Sequence, residues 1–533
     1  MDYEQEFERL KASTLTLITE SMNQANNTQF NVVVNGQKVI QEIGSLRPDR
    51  LRGLMGKPSV TLGAVDGSCS VDVFGDTVFI SVAAASLIYE MVSSDTVWIE
   101  KWPEQGVKYS FILPVLAHQA GAESSDSSLY FANLASNLMK LLEFLTLTDT
   151  MSIADIVLSD GSLSMDYKTS VNASINERLY KKTRLNGLKT GWGELDEYDL
   201  LINLYRGLDL LVARPPNPFA LIFSAERNGG TVVLDGVDGN CVRQLQAFAV
   251  AYPDKIQLST RTLTLSQEAM KSWDRLTETL ALVRQNIALN RASHPLVLLD
   301  RPLGLDDIDL LRAYAFIDLL LKAKHLGKLL ISVAKDSTST SLQELIFGGT
   351  SPTKRGFILP DKLALEVYSA LREPTLINEP WSTIEYDPLS ESNPTSNELP
   401  MQGVFSRFYV QLMVTEGVRS DVVVCERLKR RAVGVFPPYY EMDDPDREYT
   451  LGLLLALSQP TCSIPEALGH IYPLFEVDKY VKHIVSGLGS IVKGYQKLLI
   501  TDPVYREYLS IIKPFRQKRS EFERGRRSWA QTR

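Results

Sequence analysis

The stretch SVTLGAVDGSCSVDVFGDTVFISVAAAS, residues 59–86, decides the fold. Apolar residues alternate there with small and polar ones at the period of a strand, and Gly and Asp punctuate the runs. The spacing predicts strands at VTLGAVDG, VDVFGD and TVFISVAAASLIYEMV, followed after a break by KYSFILPVL at 108–116, the successive strands of a meander. The tripeptide Asp66-Gly67-Ser68 closes the first apolar run. It reads as a strand end at which the glycine turns the chain away and leaves the acid exposed at the tip.

The same tripeptide recurs in IADIVLSDGSL, residues 153–163, as Asp160-Gly161-Ser162. Between the two lies SSLYFANLASNLMKLLEFLTL, where Leu129, Ala132, Leu138, Leu141 and Leu142 form a helical stripe. The order is therefore strand, strand, strand, helix, strand. A helix packed on that sheet would carry Glu143 over the strand ends, so that Asp66, Glu143 and Asp160 converge. Three carboxylates held together repel one another unless a divalent cation neutralises them, which makes the set a site for Mg²⁺ or Mn²⁺. Such ions on oxygen ligands are the apparatus for phosphodiester hydrolysis, one lowering the pKa of the attacking water and a second stabilising the leaving oxygen. Asp66 would bridge the ions, Glu143 and Asp160 would hold one each, and Lys335, at the end of a later strand, would offset the charge of the scissile phosphate. The plain alternative is a pair of ordinary Asp-Gly-Ser turns with Glu143 as a solvated helix residue.

Working outward, 533 residues suggest roughly two to four domains, or one with large insertions. With 44% hydrophobic and 23% charged residues the chain is globular, and it has no run long and apolar enough to span a membrane. MDYEQEFERLK at the start is acidic and amphipathic, unlike a signal peptide, and Cys69, Cys241, Cys425 and Cys462 form no CxxC pair, so a reducing cytoplasm is expected. A net charge of −8 argues against indiscriminate coating of nucleic acid, although IIKPFRQKRSEFERGRRSWAQTR at the C-terminus is locally basic. SAERNGGTVVLDG lacks the Lys-Ser/Thr of a phosphate loop, so no ATP site is expected.

The expected division is an N-terminal helical arm at 1–55, a first core segment at 56–170, an insertion at 171–290, a second core segment at 291–435 and a helical region with a basic tail at 436–533. GGTVVLDGVDGN and HPLVLLD, ending on Asp300, repeat the order strand-Asp-Gly, helix, strand-Asp, either as a degenerate duplication or by coincidence. DLLRAYAFIDLLLKAKHLGKLLISVAKDS then reads as a helix, a glycine stop and a strand ending at Lys335. Residues 373–402, rich in Pro, Ser and Asn, read as a linker.

VTLGAVDGSCSVDVFGDTVFISVAAAS resembles the first motif of the NurA nucleases, FANLASNLMKLLEFLTL with IADIVLSDGSL resembles that family's glutamate helix and second Asp-Gly-Ser-Leu strand, and GKLLISVAKDSTS is similar to a later motif. The resemblance implies an α/β RNase H-like core with a mixed sheet flanked by helices. It further implies a manganese-dependent nuclease on DNA ends, a homodimer, and partnership with a HerA-type hexameric ATPase that translocates DNA, in end processing for repair or in antiviral defence. Asp66, Glu143 and Asp160 become the metal ligands, with Lys335 near phosphate. The family sets its lysine motif soon after the second aspartate; here Asp300 is the nearer acid and the alternative to Asp160. The family's C-terminal histidine ligand follows a Tyr-Pro, and SIPEALGHIYPLFEVDKYVKH offers His470, Asp478 or His483 in that role. The rival readings are a NurA-like scaffold with weakened chemistry that clamps DNA or docks on the ATPase ring, and another RNase H-like nuclease or resolvase.

Overall fold

A long two-stranded ribbon forms the backbone of the molecule. Strand β1, Ser59–Phe74, pairs antiparallel along its whole length with β2, Thr77–Ser93. Strand β3, Glu104–Leu116, lies on the other edge of β2. The computed structural model describes residues 8–13, 15–16, 19, 33–34, 37–44, 46, 59–74, 77–93, 97–99, 103–116, 127–175, 181, 183–209, 218–288, 296–335, 337–346, 360–371, 377, 379–388, 405–415, 418–429, 445–459 and 467–503. Most of the expected N-terminal arm and the basic C-terminal stretch lie outside the described residues.

VTLGAVDG and VDVFGD are one strand, and Asp66-Gly67-Ser68 is paired in mid-strand with Ala85, Ala84 and Ala83. The two-residue alternation continues through the tripeptide, so no turn is needed there.

Helix α1, Ser127–Ile153, follows the meander and leads into β4, Ile156–Asp160, which runs parallel to β1. Helix α2 is Leu163–Ile175. After a long excursion, helix α3, Leu305–Leu326, leads into β5, Leu329–Ala334, parallel to β4. Gly327 ends α3 in the left-handed conformation (φ 62°), the stop expected from sequence. All six residues of β5 are buried, as a strand covered on both faces requires. The sheet is extended antiparallel by β7, Val423–Leu428, and then β6, Phe405–Gln411. Its central order is thus β3-β2-β1-β4-β5, an antiparallel meander joined to two parallel strands, which is the RNase H-like arrangement.

Helices α1 and α3 pack together on one face, with Leu138, Leu142, Leu145, Phe316, Leu319 and Leu320 in a common core. Helix α4, Pro445–Ser458, and helix α5, Tyr472–Thr501, supply Leu454, Leu474, Val477 and Val481 to the core on the other face. Each fully buried side chain of this size contributes roughly 1.5–3 kcal/mol, enough in aggregate to hold both layers. No helix among the described residues is long and apolar enough to cross a membrane.

Thr231–Val233, from GGTVV, belongs to a small three-stranded antiparallel sheet with its own core around Ile222, Phe223, Leu245 and Leu263, and does not repeat β1. Within the expected linker, Trp381–Thr383 is a strand of the large sheet, and the buried Trp381 indole donates to Gln411 Oε1 at 2.8 Å. An interior aromatic outweighs its Pro- and Ser-rich surroundings.

Candidate functional site

Alternation along β1 divides its residues between the two faces. Leu62 and Ala64 belong to the core under α5, while Val65 belongs to the core under α1. By the same period Asp66 points to the α5 side and Gly67 to the α1 side. Glu143, on α1, rests on Gly67: a Cβ there would stand 2.5 Å from Oε1 and 2.6 Å from Cγ. Gly67 is therefore a notch in the sheet that admits a carboxylate from the opposite layer beside Asp66, and the glycine is required for that approach instead of a turn. Gly67→Ala is expected to displace Glu143 and destabilise the fold by about 1–3 kcal/mol, the usual range for overpacking. Urea denaturation would read this, and an unchanged midpoint would show that Glu143 does not depend on the notch.

The second tripeptide does end a strand. Gly161 has φ 122°, a conformation that favours glycine, and its N–H donates to Val333 O at 3.1 Å, tying the end of β4 to β5. Asp160 and Lys335 emerge from these adjacent parallel strands, and Lys335 Nζ lies 3.5 Å from Asp160 Oδ2. Ser162 and Ser164, just beyond, are held by Glu426 of β7: Ser162 Oγ donates at 3.1 Å and Ser164 N–H at 2.9 Å.

The three acids are buried enough to perturb one another. Asp66, 8% exposed, accepts from its neighbour Gly67 N–H at 2.8 Å, and burial, then Glu143 and Asp160, push its carboxyl up to about 8. Burial raises Glu143 despite the opposing effect of Lys140. Burial likewise raises Asp160 against Lys335 and Lys140. Helix α5 adds Asp478, whose charge raises both Asp66 and Asp160, and Lys482, which donates to Asp478 Oδ2 at 2.8 Å. His470, just before α5, is pushed down to about 4 by burial and by Lys335, with Asp478 opposing.

Asp66 feels the charges of Glu143, Asp160 and Asp478, Lys335 lies 3.5 Å from Asp160, and His470 feels Lys335 and Asp478. His483 is on the exposed side of α5. Asp300 is not the acid at the end of a sheet strand: it occupies an exposed turn between Val297–Leu298 and Arg301–Pro302, with φ 65°. The strand expected there is only half of a two-residue hairpin.

Lys140 and Asp166 went unnoticed in the sequence. Lys140 lies one turn before Glu143 and donates to Glu143 Oε2 at 2.6 Å. Burial alone would lower Lys140, but Glu143, Asp166 and Asp160 outweigh it and raise the ammonium above the ordinary lysine range. Burial pushes Asp166 up to about 6, against Lys140. The available signal is a lysine three residues before Glu143 in the largely apolar run NLMKLLEFL.

The donor set fits a divalent cation in kind. It consists of carboxylates, among them an Asp66 that burial and its acidic neighbours push up to about 8, bordered by an imidazole that burial pushes down to about 4. As they stand, however, no three His, Cys, Asp or Glu side chains among the described residues form a group that would hold a metal ion. Glu143 and Asp160 are instead turned to the ammonium groups of Lys140 and Lys335.

The topology makes the protein RNase H-like. At the level of overall fold the chain is similar to NurA. The NurA nuclease of Sulfolobus solfataricus is 14% identical, with a TM-score of 0.42 over 93% of this chain and 98% of that one. A NurA with manganese is 15% identical (TM-score 0.39; 92% and 98% covered), and a NurA bound to dAMP and manganese is 15% identical (TM-score 0.36; 91% and 94% covered). No family model matches the chain, and no curated protein matches it. At TM-scores below 0.5 the likeness carries no argument of its own, and the RNase H-like reading rests on the strand order.

Proposed function

We propose that the chain is an RNase H-like nuclease of the NurA kind, acting on DNA phosphodiester bonds with Mn²⁺ or Mg²⁺, whose hydrolytic centre is held at low activity by its own lysines. The observation that supports this reading is that Glu143 of α1 rests on Gly67 beside Asp66, whose carboxyl is pushed up to about 8 by burial and by the charges of Glu143 and of Asp160 from β4. Asp66, Glu143, Asp160 and His470 would hold the metal, which when bound would lower the pKa of the attacking water and offset charge on the leaving oxygen. Lys335 stands beside Asp160, where its ammonium faces a phosphate approaching the acids. Lys482, 65% exposed, is placed at the rim to meet the next phosphate along the strand. Contacts of this kind are independent of sequence and weaken with salt.

The NurA-like motifs extend the proposal to DNA ends, a homodimer and a HerA-type hexameric ATPase as partner. The second reading, a chain with weakened chemistry that clamps DNA or docks on the ATPase ring, is favoured by the engagement of Glu143 by Lys140 and by the absence among the described residues of a group that would hold a metal. Incubation of linear duplex, single-stranded DNA and a four-way junction with Mn²⁺ or EDTA, with and without the ATPase, separates these. Slow Mn²⁺-dependent loss of linear ends, faster with the ATPase, is the expected result. Intact DNA under every condition would leave the scaffold, and preferential junction cutting would make the protein a resolvase.

A further inference from the structure

Inside the acid centre there is already a cation, contributed by the chain itself. The side chain of Lys140 is 23% exposed and that of Glu143 5%, so their 2.6 Å contact is a sheltered, charge-assisted hydrogen bond. We propose that Lys140 is the internal counter-cation of this centre: its ammonium occupies Glu143 and sets the threshold at which a divalent cation recruits that carboxylate. The inference rests on the metal-dependent reading above and deepens it.

The geometry leaves Glu143 little to offer a second cation. Its Oε1 stands against Gly67, and its Oε2 is engaged by Lys140. The surroundings hold the ammonium in place. Lys140 shares α1 with Glu143, Asp166 faces it from α2, and Asp160 faces it from β4. Its Nζ lies 3.3 Å from the point where a Cβ on Gly161 would be, so the glycine that turns the chain after Asp160 also makes room for the lysine. On the far side, Arg312 of α3 and Glu426 of β7 act on Asp166 with opposite signs, and Lys335 acts on Asp160. A divalent ion ligated by Glu143 must therefore displace a like charge from the same carboxylate. Competition of this kind is reciprocal: whatever part of the Lys140–Glu143 contact a metal must break is subtracted from the metal's affinity.

The test is calorimetric titration of Mn²⁺ into the full chain, comparing wild type with Lys140→Met and Lys140→Arg, alongside melting in EDTA and in Mn²⁺. Lys140→Met is expected to bind Mn²⁺ tighter by about tenfold or more, within the usual 5- to 150-fold span of coupled sites. It should melt lower in EDTA and gain more from Mn²⁺ than wild type does. Lys140→Arg keeps the charge and should stay near wild type. Should the methionine variant not fold, Lys140→Gln keeps a donor to Glu143 without the charge and should also bind tighter. Equal or weaker Mn²⁺ binding by the neutral variants, with wild type binding normally, overturns this inference alone. No Mn²⁺ binding by any of the proteins overturns it together with the metal-dependent reading.

Discussion

Asp66→Asn is expected to abolish metal-dependent cleavage and at the same time to stabilise the protein in EDTA. The substitution keeps the Oδ1 that accepts from Gly67 N–H at 2.8 Å and removes only the charge. Loss of activity should be roughly 10³-fold or more, the scale for a group whose contribution is made in the transition state. The stability gain has a defined pH dependence. An Asp whose carboxyl is raised from 3.8 to about 8 binds its proton more tightly folded than unfolded. Its contribution is fully present below pH 3.8 and is lost as pH rises to about 8. Near pH 7 the lost contribution is on the order of 4 kcal/mol, taking about 1.4 kcal/mol per pKa unit.

Wild type should therefore lose stability between about pH 4 and pH 8 by roughly that amount relative to Asp66→Asn, with the two converging below about pH 4. Mn²⁺ should reverse the difference by stabilising wild type alone. Melting curves across that pH range, in EDTA and in Mn²⁺, read both effects. A gap that does not widen with pH would mean that neither burial nor the charges of Glu143 and Asp160 hold the Asp66 proton, and cleavage at wild-type rate would remove Asp66 from the chemistry.

The legible parts of this site were those written in one-dimensional periods. Alternation revealed the meander, the apolar stripe at Leu138, Leu141 and Leu142 revealed α1, and the run LLISVA after its glycine stop revealed the strand that leads to Lys335. What could not be read was which of two like tripeptides turns. Gly161 takes a positive φ at a strand end, whereas Gly67 stays in a strand because Glu143 needs the space above it. That difference lies in tertiary packing, and both sites spell Asp-Gly-Ser. Lys140 was hidden for a related reason: a lysine in an apolar run reads as a surface residue until Glu143, Asp160 and Asp166, from three different elements, are seen around it. The strand expected before Asp300 misled in the other direction: Leu296, Val297, Leu298 and Leu299 have the composition of a buried strand, but only Val297 and Leu298 pair, with Pro302 and Arg301.

The largest expected loss of stability lies away from the acids, at Arg407. It stands directly opposite Glu426 in the β6–β7 register, and both are buried, at 7% and 1% exposure. Arg407 Nε donates to Glu426 Oε1 at 2.7 Å, one terminal nitrogen donates to Ser164 Oγ at 2.7 Å, and the other donates to Ser339 Oγ at 2.9 Å. Ser164 follows Asp160 and Ser339 follows Lys335, so a single guanidinium fastens both segments that leave the sheet beside the acid centre. Arg407→Met would leave Glu426 buried with only hydroxyl and amide donors, a change that costs about 3–5 kcal/mol when a buried pair is broken on one side. Replacing both partners, as Arg407→Met with Glu426→Leu, should recover part of that loss, because no uncompensated charge remains. The double variant still lacks the tie to Ser164 and Ser339, so Asp160 and Lys335 are held less closely at their 3.5 Å separation. It is expected to fold more stably than the single variant yet cleave DNA more slowly than wild type. Denaturant midpoints and Mn²⁺-dependent cleavage rates separate the two roles: a loss below about 1 kcal/mol in the single variant would fall outside the range for a broken buried pair, and wild-type cleavage by the double variant would reduce Arg407 to a structural residue.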